Sequence, residues 1–329
     1  MLLYILKRLL YMIPTLFGMS LVSFLIIQLP PGDFLTSLTS AIADSGQSLD
    51  RASIDRLTAL YGLDQPFYVQ YWNWISNIIL RGDFGWSFDW GQPVSRLLWD
   101  RMGVTIFVSA LSLVLIWALA IPIGIYSAVR RYSIGDYVFT FLGFVGLAVP
   151  TFILALGLMY VSFTWFGLNV GGLFSPEYEQ APWSLGKFID LLHHLWIPVV
   201  VIAISSTAAL IRVMRANLSD ELSKPYVVTA RAKGLSEFTL IMRYPVRLAL
   251  NPFVSTIGWV LPSLISGVTI TAIVLNLPMA GPLLLRALVS QDMYLAGAFI
   301  LIMSVLTLIG MLISDILLAV LDPRVRYQQ

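Results

Sequence analysis

Long runs without a single charged residue divide the chain: Leu9 to Gly32, Met102 to Val129, Tyr137 to Pro176, Leu195 to Ile211, Leu248 to Leu285, and Met293 to Ser314. A bilayer core about 30 Å thick is crossed by roughly 20 apolar residues rising about 1.5 Å each. The pattern therefore predicts six membrane-spanning helices. The third and fifth runs are too long for one helix and too short for two spans with a turn, so their surplus is predicted to be loop. Gly167, Gly171, Gly172 and Pro176 mark the change in the third run, and Pro278, Gly281 and Pro282 mark it in the fifth. The first run follows Lys7 and Arg8 but is longer than a signal-peptide core and has no small-residue cleavage site. It reads as a retained helix.

Composition agrees with this pattern. Hydrophobic residues make up 58% of the chain and charged residues 12%, against roughly a quarter charged in soluble domains. There is no cysteine, which excludes disulfides, thiolate metal sites and a cysteine nucleophile. A net charge of +2 is too small to suggest a nucleic-acid partner. Lys and Arg accumulate in short cytoplasmic loops. With the N-terminus inside, Lys7, Arg8, Arg130, Arg131, Arg212, Arg215, Lys224, Arg231, Lys233, Arg243, Arg247, Arg324 and Arg326 all fall on the cytoplasmic side. The expected plan is an all-α membrane protein with both termini inside. Residues 1–100 would hold the first helix and an external loop, 101–321 a core domain with a cytoplasmic segment at 212–252, and 322–329 a tail. The external loop carries Tyr71, Trp72, Trp74, Trp86, Trp90 and Trp99. These aromatics read either as an interfacial belt or as a contact surface for carbohydrate or peptide.

Candidate chemistry is sparse. No GxxxxGK phosphate loop occurs: Gly186 and Lys187 precede Phe188 and lack the upstream glycine. His193 and His194 are adjacent and cannot share a helix face, and no ligands at metal spacing accompany them. No serine has a base partner at a spacing that would support nucleophilic catalysis. Polar residues within spans are candidates to line a pathway: Ser205, Ser206 and Thr207 in the fourth, and Ser255, Thr256, Ser263, Ser266, Thr269 and Asn276 in the fifth. Each is also explained by a bond to its own backbone or a neighbouring helix. Pro150, Pro198 and Pro262 free backbone groups inside spans. Asp315 reads as an interhelical or interfacial anchor. An ion-gradient-driven secondary transporter or a channel is the alternative reading. It predicts ionisable residues deep in the spans, which are nearly absent, and the inverted-repeat transporters among them would show an internal repeat, which is not visible.

The stretch from Arg212 to Pro252 is predicted to fold as two short helices. Ser223 is the expected N-cap of the first, with Pro225 in its first turn, Arg231 and Lys233 at its C-terminal end, and Gly234 as the left-handed residue that ends it. Ser236 and Glu237 open the second, whose expected apolar strip is Phe238, Ile241 and Met242. Such a segment either transmits a push from a soluble partner or rests on anionic lipid.

The segment reads YVVTARAKGLS from Tyr226 to Ser236 and continues to MRYPVRLALNP. It resembles the cytoplasmic coupling signature of the oligopeptide and dipeptide branch of ABC importer permeases. KRLLYMIPTLFGMSLVSFLIIQLPPGD from Lys7, YGLDQPFYVQYWNWI from Tyr61, RGDFGWS from Arg81, Pro150 with Phe152, and LDPRVR from Leu321 are similar to further family blocks in the same order. The resemblance implies the type I ABC importer permease (MetI-like) fold and a non-enzymatic subunit of the bacterial or archaeal cytoplasmic membrane. It implies docking of an ATP-hydrolysing subunit on Tyr226, Ala230, Arg231, Ala232, Lys233 and Gly234, and it places Pro150 and Phe152 at the kink of span three. The implied partners are a second homologous permease, two ATPase subunits (or one heterodimer) that bind the ATP and Mg, and an external solute-binding protein. Three positions depart from the family pattern: Ala272 stands where an acidic residue is common, Met279 replaces a glycine, and Tyr244 stands for a histidine. Cargo is left open among peptides, oligosaccharides, nickel and opines.

Overall fold

The computed structural model describes residues 2–28, 64–87, 89–255, 263 and 268–321. The described chain is mostly helical. Among the described residues, four helices are long and apolar enough to cross a membrane: α1 (Leu2–Gln28), α3 (Val94–Val129), α7 (Leu185–Leu222) and α13 (Met293–Leu321). A fifth crossing is supplied if α4 (Ile134–Ala148) and α5 (Thr151–Phe166) form one broken span, bent by 102°. The predicted fifth span falls on α10 (Pro245–Ser255) and α11 (Thr269–Val274), neither long enough by itself to cross a bilayer; most of the stretch between them lies outside the described residues.

The break between α4 and α5 follows from Pro150. Proline has no N–H to donate and forces the residue before it into extended geometry. Val149 accordingly sits at φ −86° and ψ 121°, and α5 restarts with Ile153 and Leu154 bonding back to the Pro150 carbonyl. Gly167, at φ +65°, then ends α5 where the glycine cluster predicted loop. In the fifth run only Pro278 lies in loop. Gly281 and Pro282 open α12 (Ala280–Val289) instead, because a proline in a first turn forfeits only a donor that has no intrahelical acceptor.

The chain forms two compact units. The first contains residues 1–8, 104–279 and 307–329. At its centre is α7, against which α4, α5 and α10 pack. Leu195, Ile197, Ile202, Leu210, Met214 and Leu218 of α7 are almost fully buried. Close approach depends on two glycines. A Cβ on Gly124 of α3 would lie 2.6 Å from Met214 Cβ, and one on Gly146 of α4 would lie 2.6 Å from Ile204 Cγ2. Electrostatics reinforce the contact between α4 and α7. Asp136, capped into the first turn of α4 by Ser133, is buried and accepts hydrogen bonds from Arg215 Nη2 at 2.8 Å and from the Tyr132 backbone N–H at 2.9 Å. Arg8 and Asp315 pair at 3.2 Å, so Asp315 is the anchor its position suggested.

The second unit contains residues 9–103 and 280–306. Here α2 (Phe67–Arg81) packs on α1, with Phe24, Tyr71 and Trp74 in one aromatic cluster and Tyr71 Oη hydrogen-bonded to Ser20 Oγ at 2.8 Å. These two aromatics of the predicted loop are therefore neither belt nor contact surface. Trp72 and Trp99 stay exposed. A short antiparallel hairpin, β1 (Trp86–Ser87) with β2 (Gln92–Pro93), is tied to the start of α13 by buried Asp292. That carboxylate accepts from Ser87 Oγ at 2.5 Å and from the backbone N–H groups of Asp89 and Leu295. Arg286 pairs with Asp89 at 2.7 Å and stacks over Trp90.

The two kinds of helical glycine make a paired prediction. Gly124→Ala forces a methyl into the Met214 contact and is expected to destabilise by about 1–3 kcal/mol. Gly157→Ala, where a Cβ meets nothing within 4 Å, is expected to gain up to about 1 kcal/mol from helix propensity. Thermal unfolding of the two variants in one detergent should shift in opposite directions.

Candidate functional site

At about 1.5 Å per residue, the 38 residues of α7 reach about 57 Å. This is well beyond a bilayer core of about 30 Å. The stretch from Arg212 to Leu222, expected as the start of a loop, is instead the end of this helix. Ser223 closes it, with Oγ donating to the Asp220 carbonyl at 2.8 Å. The N-cap of α8 (Pro225–Ala232) is therefore Lys224, not Ser223, and Pro225 occupies the first turn as expected.

The anchoring of α8 follows from its sequence. Val227 and Ala230 are buried in the core around α7, while Val228, Arg231, Ala232, Lys233 and Gly234 are exposed. Tyr226 lies between these faces, and its hydroxyl donates to Glu221 Oε2 at 2.6 Å. Lys224 Nζ holds the other oxygen of the same carboxylate at 2.5 Å. Burial, with the adjacent Glu221 carboxylate, pushes the Tyr226 phenol well above its ordinary range, so it remains a neutral donor. Gly234 turns the chain at φ +79° and bonds back to the Arg231 carbonyl at 3.0 Å. This left-handed geometry favours glycine.

Beyond Gly234 lies α9 (Glu237–Arg243), opened by Ser236 as expected. Its buried residues are Leu240 and Ile241, while Phe238 is 77% exposed and Met242 44%. The predicted apolar strip is thus split, since packing against α10 selects Leu240. Arg231 clips α8 to α9 through two hydrogen bonds to Glu237, Nε to Oε1 at 2.5 Å and Nη2 to Oε2 at 3.0 Å. The bond from Arg231 holds the Glu237 carboxylate below its ordinary range.

The candidate pathway residues are more scattered. Pro150 sits at the break and Phe152 is half-buried in the first turn of α5. Between them in sequence, Thr151 joins α5 to α11 through a 2.9 Å hydrogen bond between its hydroxyl and that of Thr271. Asn276 follows α11 at φ +52° and is exposed. On α7, Ser205 and Ser206 are half-buried, and Thr207 is buried with its hydroxyl unpaired among the described residues. Ser255 bonds its own helix at the Asn251 carbonyl, and Ser263 is exposed. Thr256, Pro262 and Ser266 lie outside the described residues. The neighbouring histidines diverge: His193 is exposed, whereas His194 is buried with Nδ1 2.8 Å from the Asp190 carbonyl. Ala272 and Met279, the departures near α11, are both buried in the core.

Sequence reasoning missed Glu221 and the pairing of Asp136 with Arg215. Glu221 was legible as the acid five residues before Tyr226. The other pair is 79 residues apart and left no local signal.

Several apolar helices of spanning length, with a short anchored helix carried on the end of one of them, define a polytopic membrane protein. A family model described as the binding-protein-dependent transport system inner membrane component matches residues 120–327, and the corresponding N-terminal model matches residues 1–109. The chain belongs to this family. It is 35% identical over 325 residues to the oligopeptide transport system permease protein AppB of Bacillus subtilis, covering 98% of this chain and 99% of that protein. It is 32% identical over 328 residues to the glutathione transport system permease protein GsiC of Escherichia coli K12, covering the whole of both. The chain is a multi-pass permease subunit of an ATP-driven, binding-protein-dependent importer, and permease subunits of this class are not themselves catalytic.

Two outcomes test the local geometry. Tyr226→Phe keeps the packing and removes a hydrogen bond to a charged acceptor, worth about 1.5 kcal/mol at this partly exposed site. Amides of residues 226–232 should then exchange about tenfold faster, the equivalent of about 1.4 kcal/mol. Because the Glu237 pKa is lowered on folding, the clip to Arg231 contributes above the unfolded-chain value and is lost as pH falls through the folded value. Exchange across residues 235–240, corrected for intrinsic rates, should rise on acidification below the ordinary glutamate range. Glu237→Gln should show the raised exchange already at neutral pH.

Proposed function

We propose that the segment from Tyr226 to Gly234 is the surface through which a partner ATPase moves this permease. The observation that carries this reading is the two-sidedness of α8. One face is fixed to the end of α7 by Val227, Ala230 and the bond from Tyr226 to Glu221, while the other presents Arg231, Ala232 and Lys233. A short helix fixed in this way transmits a displacement to α7 instead of absorbing it.

In the same reading the chain has six spans in the type I arrangement with both termini cytoplasmic, and it lies in the bacterial cytoplasmic membrane. It pairs with a second, related permease around a central pathway. Two ATPase subunits bind ATP and Mg and close upon α8, and an external binding protein delivers the cargo. The pathway includes the break at Pro150 and Phe152 and the polar positions Ser205, Ser206, Thr207, Ser263, Ser266 and Asn276. A peptide-like cargo fits the oligopeptide and glutathione permeases that the chain matches over nearly its full length.

Gly234→Val places a β-branched residue at φ +79°, at a cost of about 1–2 kcal/mol, with open space around the new side chain. The complex should still assemble in the membrane, while ATP hydrolysis stimulated by the binding protein and uptake both fall about tenfold or more. Reporter fusions at Tyr61 and Gln329 should mark opposite sides of the membrane. If no ATPase co-purifies, and uptake survives ATP depletion with the ion gradient intact, the protein is driven by an ion gradient instead.

A further inference from the structure

The paired surfaces of α4 and α7 carry a groove of about 150 Å³, walled by Phe139, Gly143, Phe144 and Leu147 from α4 and by Arg212 and Arg215 from α7. We propose that this groove binds an anionic phospholipid of the cytoplasmic leaflet, with the phosphate at the two arginines and an acyl chain laid along α4. The leaflet rests on the orientation proposed above.

The groove is amphipathic along its length. Its wall runs from Phe139 to Leu147, a rise of about 12 Å, which is long enough for part of a hydrocarbon chain. Gly143 leaves that wall open, since it faces only Ala208, whose Cβ would lie 3.4 Å from a Cβ built at Gly143. Both arginines come from neighbouring turns of α7. Arg212 has no acidic partner among the described residues, and its guanidinium lies 6.0 Å from the centre of the Phe144 ring. Arg215 gives Nη2 to Asp136, yet its Nε is buried with no acceptor among the described residues. An arginine pair holding one unpaired charge and one unused donor matches a phosphate, whose oxygens accept from guanidinium forks.

Two features favour a lipid over other anions. Phe141, Leu142 and Val145, which flank the groove on α4, are exposed apolar side chains on a spanning segment, so hydrocarbon surrounds the site. Basic pockets between spanning helices on the cytoplasmic side are suited to anionic headgroups. Arg130 and Arg131 lie on the turn between α3 and α4, next to Tyr132, which bonds Asp136. They add positive charge near the same end of α4.

The test uses the importer purified with its partner subunits through a tag on this chain. The complex is placed in nanodiscs of phosphatidylcholine with or without phosphatidylglycerol. Native mass spectrometry is expected to find phosphatidylglycerol retained on the complex, with a matching rise in thermal stability. Arg212→Gln should weaken retention about fivefold. Gly143→Leu should match that loss, because it fills the groove and leaves both arginines in place. Arg243→Gln, outside the groove, should leave retention unchanged. The proposal is overturned if retention survives both groove variants, or if Arg243→Gln lowers it equally, which would indicate only diffuse surface charge. Displacement of the lipid by inorganic phosphate alone would also overturn it, as would a cross-link from Gly143→Cys to the second permease showing that protein covers the groove. A reporter at Gln329 facing outward would refute the cytoplasmic leaflet. ATP hydrolysis and uptake, followed in parallel, report separately on the permease reading.

Discussion

A helix of 38 residues cannot be contained in a bilayer core about 30 Å thick, and the first unit is organised around that mismatch. The portion of α7 inside the apolar layer is buried by α4, α5 and α10, with glycines permitting close contact. The portion that emerges needs polar partners, and it finds them in Asp136 at Arg215 and in Lys224 and Tyr226 at Glu221. The helix is thus gripped by apolar packing along one part and by charge-assisted bonds toward its end. A force applied at its tip reaches the packed interior through the stretch of helix between Leu222 and Pro198, the one position in α7 that lacks a backbone donor.

The long helices were legible because bilayer thickness imposes a simple length rule. The charge-free runs from Met102, Leu195 and Met293 each sit inside one long helix, and the surplus after Phe166 became loop at the glycine that can adopt positive φ. Helix ends were harder to place. Ser223 looked like an N-cap, but its hydroxyl bonds backward to Asp220, so the helix before it ran on and Lys224 took the role. Composition alone does not say which of two overlapping helices a serine serves.

The turn within the candidate segment was legible, but not the facing of its side chains. Small and basic residues around Gly234 marked a turn between two helices, and its left-handed backbone agrees. The direction each side chain faces depended on tertiary packing. Phe238 turned outward because Leu240 and Ile241 took the contact with the core. Tyr71 and Trp74 turned inward onto Phe24, leaving Trp72 and Trp99 at the surface. Pairings across long stretches, such as Ser87 with Asp292 over 205 residues, have no periodicity by which a sequence would reveal them.

The break at Pro150 also bears on how the protein is made. The two halves contain 15 and 16 residues, each about 23 Å long and shorter than the hydrocarbon layer. The 102° bend prevents them from adding end to end as one straight hairpin arm. Neither half is stable in lipid alone, because its terminal carbonyl and amide groups would face hydrocarbon unsatisfied. The helix that covers both, α7, is translated after them. The burial of residues 134–166 is therefore completed only once a later segment of the chain, residues 185–222, is in place.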